Sequence, residues 1–176
     1  MSSARLRGWR SSSQQRSDGA IESAQRVLLA APVVETTLGG AHLLGCRYWL
    51  EVERFTLGLV RARQLGGVTE LRVLARWPLL LRFGAPQVRV TGSLVVCRYP
   101  IRGGLLARRP LGAISFSQTG PPNVELRSAI TGFFPALAAK PGYPHWTGAL
   151  YAQVQARLHV AISRRYFARL IWEGPR

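Results

Sequence analysis

Residues 149–173 contain neither glycine nor proline, and this stretch constrains the fold more than any other part of the chain. Apolar side chains recur in it at spacings of three and four, as Leu150, Val154 and Leu158 show. Such spacing places one apolar stripe along an α-helix, and a Gly-Pro pair directly after the stretch supplies a stop signal. The sequence therefore predicts a long C-terminal helix whose apolar side covers another element.

The middle of the chain alternates apolar and polar residues, as half-buried strands do. Residues 46–53 follow this pattern, and residues 88–96 follow it around Gly92, which predicts a bulge in one long strand. The Gly66-Gly67 pair predicts a hairpin turn between two further strands. Together these segments predict about six or seven antiparallel strands ahead of the helix.

The predicted fold class is therefore α+β, a curved antiparallel sheet packed against the long C-terminal helix. A small β-barrel with an outer helix is the alternative. A length of 176 residues favours one domain, which we assign to residues 21–176. Residues 21–31 are predicted to form a short helix that stops before a proline. Residues 1–20 are rich in arginine and serine without apolar periodicity, which predicts a disordered tail.

The element order, strands followed by one long helix, resembles the helix-grip architecture of START-like and polyketide-cyclase-like proteins. The resemblance covers roughly residues 43–173 and rests on element order, without a family motif. It implies a curved sheet that wraps the long helix. The sequence departs from the family in one respect, since residues 53–66 are too short and too strand-like for the two short helices usual after the first strand.

The first function hypothesis is the binding of a hydrophobic small molecule or lipid in a cavity between sheet and helix. This hypothesis requires a cavity of at least roughly 300 Å³; an ordinary filled core is the alternative. The predicted lining consists of the apolar and aromatic residues on the inward faces, namely Tyr48, Leu50, Val52, Val90, Leu94, Phe116, Ile130, Tyr151, Val154 and Leu158.

The second hypothesis comes from the formal charge of +16, which 24 basic and 8 acidic residues produce. Arginines on polar strand positions and around one glycine loop would suit nucleic-acid phosphates or an anionic membrane surface. A solvated surface in an arginine-biased protein is the alternative interpretation. The predicted anion-binding residues are Arg61, Arg63, Arg72, Arg76, Arg98, Arg102, Arg108 and Arg109.

A third hypothesis is a cyclase- or hydrolase-like cavity enzyme, although no catalytic motif supports it. The sequence lacks a Gly-x-Ser-x-Gly elbow, a His-Glu-x-x-His helix and a Cys-x-x-Cys pair. We therefore predict no catalytic residue, metal site or cofactor. Glu51 and Glu53 are interpreted as neighbours on one strand face that pair with arginines. His159 lies opposite the apolar stripe of the final helix and is predicted to face solvent.

No apolar run reaches the roughly 18–20 residues of a membrane span, so none is predicted. Cys46 and Cys97 both lie in predicted strands, where they are interpreted as buried free thiols, or as a disulfide if the strands are adjacent. Free thiols favour a reducing compartment, and we predict a cytoplasmic protein, with peripheral association with a membrane as an option. The sequence leaves the oligomeric state open.

Overall fold

A computed structural model describes residues 8–107, 109–136 and 145–174, and it describes the side chains of all of these except residues 145–156. The strands are β1 (Arg10–Gln15), β2 (Ile21–Leu29), β3 (Val60–Leu65), β4 (Val68–Val73), β5 (Leu79–Phe83), β6 (Gln87–Thr91), β7 (Leu94–Gly103), β8 (Ala113–Gln118) and β9 (Val124–Phe133). The helices are α1 (Leu38–Phe55) and α2 (His145–Glu173). The predicted C-terminal helix is confirmed as α2.

The strands form one open antiparallel sheet in the order β1-β2-β9-β8-β7-β5-β4-β3. The first half of β7 pairs with β6, where Cys97 lies opposite Val88, and its last residues pair with β5, where Ile101 lies opposite Phe83. The α+β class with an antiparallel sheet is confirmed. The sheet has nine strands rather than six or seven, and it ends at β1 and β3, so the alternative of a closed barrel is wrong.

Residues 46–53 belong to helix α1, so the prediction of a strand there is wrong. The helix begins after Thr37, whose side-chain oxygen accepts a hydrogen bond of 3.0 Å from the backbone N–H three residues on. Leu44, Tyr48 and Val52 are buried at spacings of four, which places them on one helical face. The apparent alternation arose because the apolar Cys46 and Leu50 lie on the exposed side of the helix, whereas the charged Glu51 is buried.

Residues 21–29 form strand β2 rather than the predicted short helix. Its inward positions include Ser23 and Gln25, both buried, and these polar side chains hide the alternation that marks a strand. Residues 10–15, part of the predicted disordered tail, form the exposed edge strand β1, in which Arg10 lies opposite Arg26 of β2. Residues 1–7 lie outside the described residues.

Gly92 is part of a tight turn and not of a bulge in one long strand. Its φ of +56° is a left-handed conformation that glycine adopts readily, and it reverses the chain between β6 and β7. The predicted strand over residues 88–96 is therefore a hairpin. The turn predicted at Gly66-Gly67 is confirmed between β3 and β4, as both glycines have positive φ values.

The order of the elements along the chain determines which strands the two helices connect or follow. Strand β2 pairs with the last strand, β9, while α1 connects β2 to β3 and α2 follows β9. This arrangement is consistent with a helix-grip-like α+β architecture. Helix α1, which the sequence analysis did not predict, follows the second strand.

Both helices pack on one face of the sheet around an aromatic core. The ring centroid of Tyr48 lies 4.4 Å from that of Phe116 in β8 and 5.4 Å from that of Tyr166 in α2. The Tyr166 hydroxyl donates a hydrogen bond of 3.0 Å to the Leu44 carbonyl, which fastens α2 to α1. The mutual packing of these rings fixes the position of α1 relative to the sheet.

The segment that leads into α1 is fixed by one buried amide. The side-chain oxygen of Gln118 in β8 accepts hydrogen bonds from the backbone N–H groups of Val33, at 2.7 Å, and Val34, at 3.1 Å. Its side-chain nitrogen donates to the Val34 carbonyl at 2.8 Å. These bonds satisfy backbone groups that would otherwise be buried without partners, so the start of α1 is anchored on the sheet.

Candidate functional site

An apolar cavity of about 200 Å³ lies between α1, α2 and the sheet. Its polar groups come from Tyr48, Trp49, Thr56 and His159, and the rest of its wall is aliphatic and aromatic. The volume is below the roughly 300 Å³ that the sequence analysis required for a bound hydrophobic small molecule or lipid. It exceeds cavities of about 150 Å³ that bind benzene. The cavity therefore suits one aromatic ring with a few further atoms rather than a lipid chain.

The structure places some of the predicted lining residues on the cavity wall and others elsewhere. Tyr48, Val52, Ile130 and Leu158 lie on the cavity wall. Phe116 is fully buried behind Tyr48 and belongs to the core around the cavity. Residues from both helices and from the sheet thus meet at this cavity, as the sheet-and-helix hypothesis expected.

Three of the predicted lining residues, Leu50, Val90 and Leu94, do not lie on the cavity wall. Leu50 is 37% exposed on α1, since positions two apart share a face on a strand but not on a helix. Val90 and Leu94 lie half-buried on the β6–β7 hairpin, away from the cavity. The side chains of Tyr151 and Val154 lie outside the described residues.

Two of the polar residues on the cavity wall, both buried, form a hydrogen bond with each other. The Tyr48 hydroxyl lies 2.9 Å from Nδ1 of His159, which joins α1 to α2. Only 5% of His159 is exposed, so the prediction that it faces solvent is wrong. The helical face opposite the apolar stripe is covered because α2 packs against α1 as well as against the sheet.

Burial keeps both members of this pair neutral. Loss of hydration lowers the pKa of His159 to about 4. It raises the pKa of Tyr48 well above 10.0. Near neutral pH the imidazole is thus uncharged, with one nitrogen carrying a proton and the other free to accept a hydrogen bond.

Hydrogen-bond accounting assigns the tautomer of His159. If the Tyr48 hydroxyl donates to Nδ1, the proton of the ring lies on Nε2. If Nδ1 donated instead, the Tyr48 proton and the Nε2 lone pair would both lack partners, so the first arrangement leaves fewer buried groups unpaired. Nε2 is buried without a hydrogen-bond partner within the described part of the chain. Among the described residues, two side chains of the cavity wall therefore carry a buried N–H donor without a partner, His159 at Nε2 and Trp49 at Nε1.

The carboxylates that the sequence analysis placed on one strand face serve two separate contacts on α1. Glu51 is buried, with its oxygens 2.9 Å from Nε of Arg165 and 3.1 Å from Nε of Arg169, both on α2. Glu53 pairs with Arg61 at 3.0 Å and accepts a hydrogen bond of 2.8 Å from the Ala62 backbone, on the sheet-edge strand β3. The predicted pairing of both carboxylates with arginines is therefore found. The predicted position side by side on one strand face is not, because both residues lie on a helix and contact different arginines.

The first four predicted anion-binding arginines lie around β3 and β4. Arg61 pairs with Glu53, as above, and Arg72 pairs with Glu70 at 2.8 Å. Together with Arg82, Arg72 holds the pKa of Glu70 below its usual value. Arg63 donates to a backbone carbonyl, and the exposed Arg76 follows on the β4–β5 loop.

Two of the remaining predicted arginines lie on β7, and a third, Arg109, follows that strand. Arg98 in β7 donates a hydrogen bond of 2.7 Å to the Gln87 side chain, and Arg102 is exposed further along the same strand. The Arg109 guanidinium lies 4.9 Å from the ring centroid of Phe134, a cation–π contact. Arg108 lies outside the described residues.

A row of arginines that the sequence analysis did not find crosses the opposite face of the sheet. Arg10, Arg26 and Arg127 lie directly opposite one another on β1, β2 and β9. Like charges in such positions repel, and the nearest carboxylate oxygen, of Glu125, lies 3.9 Å from Arg26. The row was missed because β1 and β2 were predicted as a tail and a helix.

The cysteines are free thiols, so the disulfide alternative does not occur. Cys46 is exposed on α1, contrary to the predicted buried strand position, whereas Cys97 is buried in β7. Burial raises the pKa of the Cys97 thiol to about 11. A reactive thiolate is therefore not available at Cys97 near neutral pH.

No protein-family model matches the chain, and a search of curated proteins found no match. Within residues 8–107, 109–136 and 145–174, no three potential ligands among His, Cys, Asp and Glu come together as a metal site. Neither of the two helices is long and apolar enough, over its described residues, to cross a membrane. The site must therefore be interpreted from its own geometry.

Proposed function

We propose that this protein binds a small apolar molecule that carries one hydrogen-bond acceptor, such as a carbonyl group, in the cavity between α1, α2 and the sheet. The observation that carries the proposal is that His159 lines an apolar cavity of about 200 Å³ while its buried Nε2 has no hydrogen-bond partner within the described part of the chain. The apolar wall would bury the body of the ligand, and the imidazole N–H would orient it.

The energetics favour a ligand with an acceptor over a plain hydrocarbon. A buried donor without a partner costs about 1–3 kcal/mol, and a ligand carbonyl that accepts from Nε2 would remove that cost. The donor is available because Tyr48 occupies Nδ1 at 2.9 Å. A charged carboxylate would lose its hydration in this apolar cavity, so a neutral acceptor fits better.

Acetophenone and α-methylstyrene test the proposal, because they differ only in a carbonyl oxygen that replaces a methylene group. Isothermal titration calorimetry on the full chain should show acetophenone binding about tenfold more tightly, the ratio that one satisfied hydrogen bond supplies. The His159→Phe variant should lose this preference. Binding of neither probe at millimolar concentrations, or an equal preference in both proteins, would contradict the proposal.

The fold supports a relationship to the START-like and polyketide-cyclase-like proteins, which we also propose. The support consists of the pairing of β2 with β9, the helix after β2 and the long final helix on the sheet. An enzymatic role is not part of the proposal. General acid–base catalysis requires pKa values near the working pH, whereas burial moves those of Tyr48 and His159 away from neutrality.

The anionic partner of the arginines, nucleic acid or a membrane surface, stays a prediction, as do the cytoplasmic location and the peripheral association with a membrane. Arg61, Arg72 and Arg26 have carboxylate partners. An anionic partner would therefore have to bind the arginines that lack one.

A further inference from the structure

Two loops lie side by side at one corner of the sheet. The α1–β3 loop comprises residues 56–59, and the β4–β5 loop comprises residues 74–78. The Leu74 backbone N–H donates a hydrogen bond of 2.8 Å to the Leu59 carbonyl, which extends the pairing of β3 with β4 into the loops. We call these two loops together the loop corner.

The loop corner exposes four large apolar side chains to solvent. Leu57 is 96% exposed, Trp77 81%, Leu74 65% and Leu59 54%. Single exposed leucines are common on protein surfaces and need no explanation. A group of exposed large apolar side chains on adjacent loops is different, because contiguous apolar patches mark surfaces that bind a partner or a membrane.

The backbone of the loop corner holds these side chains outward. Leu57 and Leu74 have φ values of +52° and +49°, a left-handed conformation that residues other than glycine rarely adopt. The Leu57 N–H donates to the Arg54 carbonyl at 3.1 Å, and the Gly58 N–H donates to the Glu53 carbonyl at 2.7 Å. The exposed leucines therefore belong to hydrogen-bonded turns with a defined shape.

Arginine side chains of β3 and β4 contact the β4–β5 loop of the loop corner. The Arg63 guanidinium donates to the Ala75 carbonyl at 3.2 Å, and that of Arg72 donates to the Arg76 carbonyl at 2.7 Å. All 8 acidic residues of the chain lie in its described parts, and none has a carboxylate oxygen within 4.0 Å of Arg63 or Arg76. The loop corner thus combines exposed apolar side chains with two arginines, Arg63 and Arg76, that have no carboxylate within this distance.

We propose that the loop corner docks on the surface of an anionic lipid bilayer. Leu57, Leu74 and Trp77 enter the boundary between headgroups and acyl chains, where tryptophan is favoured. Arg63 and Arg76 contact the lipid phosphates, and each basic residue near such a surface adds to binding. This proposal is independent of the cavity ligand, and its failure would leave that proposal standing.

The composition of the loop corner favours a bilayer over the other candidate partners. Phosphate backbones attract arginine but offer no apolar region in which leucine side chains leave water. A second copy of the chain would bring two sets of arginines together, and like charges at such a contact repel. An anionic bilayer supplies both the apolar region and the negative charge.

Co-sedimentation of the full chain with vesicles tests the docking proposal. Binding to phosphatidylcholine vesicles that contain phosphatidylserine should exceed binding to phosphatidylcholine alone. The double variant Leu57→Ser/Leu74→Ser should bind the anionic vesicles about tenfold more weakly or worse, because two apolar side chains no longer enter the boundary. The matched control is Leu28→Ser/Leu65→Ser, at positions 52% and 58% exposed away from the corner, and it should bind like the parent protein.

Single substitutions separate the electrostatic contribution to vesicle binding from the apolar contribution. Arg76→Glu should weaken binding to the anionic vesicles about fivefold or more, whereas Arg89→Glu on β6 should have a smaller effect. Trp77→Ser should reduce binding, whereas Trp172→Ser, at a position 84% exposed on α2, should not. Circular dichroism of each variant confirms that the fold is retained.

Three outcomes would overturn the docking proposal. The first is vesicle binding that the double leucine variant leaves unchanged. The second is tight binding of a single-stranded oligonucleotide that Arg76→Glu weakens and the leucine variant does not, since this pattern indicates a nucleic-acid surface. The third is a dimer in sedimentation velocity that the leucine variant dissociates, since this result assigns the corner to a contact between copies.

Discussion

The hydroxyl oxygen of Tyr48 and Nδ1 of His159 lie 2.9 Å apart, although 111 residues separate them in the sequence. The bond joins α1 to α2 at the wall of the cavity, and both side chains are buried. Its donor and acceptor are both neutral near pH 7, because burial raises the pKa of Tyr48 and lowers that of His159 to about 4. The contact is therefore sensitive to protonation.

The free energy of unfolding should fall as the pH decreases from about 6.5 to about 4. The unfolded chain binds the imidazole proton at a pKa of about 6.5, whereas the folded chain resists it until about 4. The unfolded state thus holds more protons in this window, and acid destabilises the fold by about 3 kcal/mol in full. Urea unfolding at a series of pH values measures this slope.

Substitution of the histidine itself provides the control for this pH dependence. His159→Phe should flatten the slope between about pH 6.5 and 4, because phenylalanine does not titrate. Equal slopes in the parent and in His159→Phe would show that His159 is not the group responsible.

The elements that the sequence predicted correctly are those with one uniform periodicity. Helix α2 was predicted because a long stretch without glycine or proline repeats its apolar side chains at helical spacing. Helix α1 was not, because its buried face includes the charged Glu51 while Leu50 is 37% exposed, so polarity does not follow burial. The prediction for the segment that forms strand β2 was wrong for the same reason, since the polar Gln25 is buried.

The cavity residues were predicted in part because some spacings are ambiguous between helix and strand. Tyr48 and Val52 are four apart and share a face on either element, so both lie on the cavity wall despite the wrong assignment. Leu50 shares that face only on a strand. His159 could not be predicted to lie on the wall, because its burial depends on a tertiary contact between α1 and α2.

Glu51→Gln should destabilise the protein through the contact between the helices. The buried carboxylate neutralises Arg165 and Arg169, and the amide would leave both without a counterion. We expect a loss of about 1–3 kcal/mol in the free energy of unfolding, because both arginines are partly exposed and water screens them. Glu125→Gln, whose carboxylate lies 3.9 Å from Arg26 at the surface, should cost less than about 1 kcal/mol. Equal losses of stability in Glu51→Gln and Glu125→Gln would contradict the role of Glu51 as the counterion of Arg165 and Arg169.

Gly45→Ala should strongly destabilise α1 although alanine favours helices. A Cβ at this position would lie 2.9 Å from the Cys97 sulfur and would overlap the Tyr99 hydroxyl, both in the close-packed core. We expect a loss of about 1–3 kcal/mol from this overpacking. Gly39→Ala on the same helix is the control, since its nearest contact lies 3.6 Å away, and it should stabilise the protein by up to about 1 kcal/mol. Thermal unfolding of both variants measures the difference.

Val52→Phe should fill the cavity with little effect on stability and should abolish ligand binding. Val52 lies on the wall of the space of about 200 Å³, so a larger ring has room there. We expect the free energy of unfolding to stay within about 1 kcal/mol of the parent value.

The control variant Val95→Phe makes the same change at a fully buried strand position away from the cavity wall. Overpacking there should cost about 1–3 kcal/mol. Chemical unfolding compares the two variants, and calorimetry with acetophenone should detect no binding to Val52→Phe. Equal destabilisation by the two substitutions would show that the space beside Val52 does not accept a ring, and the cavity would then not hold an aromatic ligand.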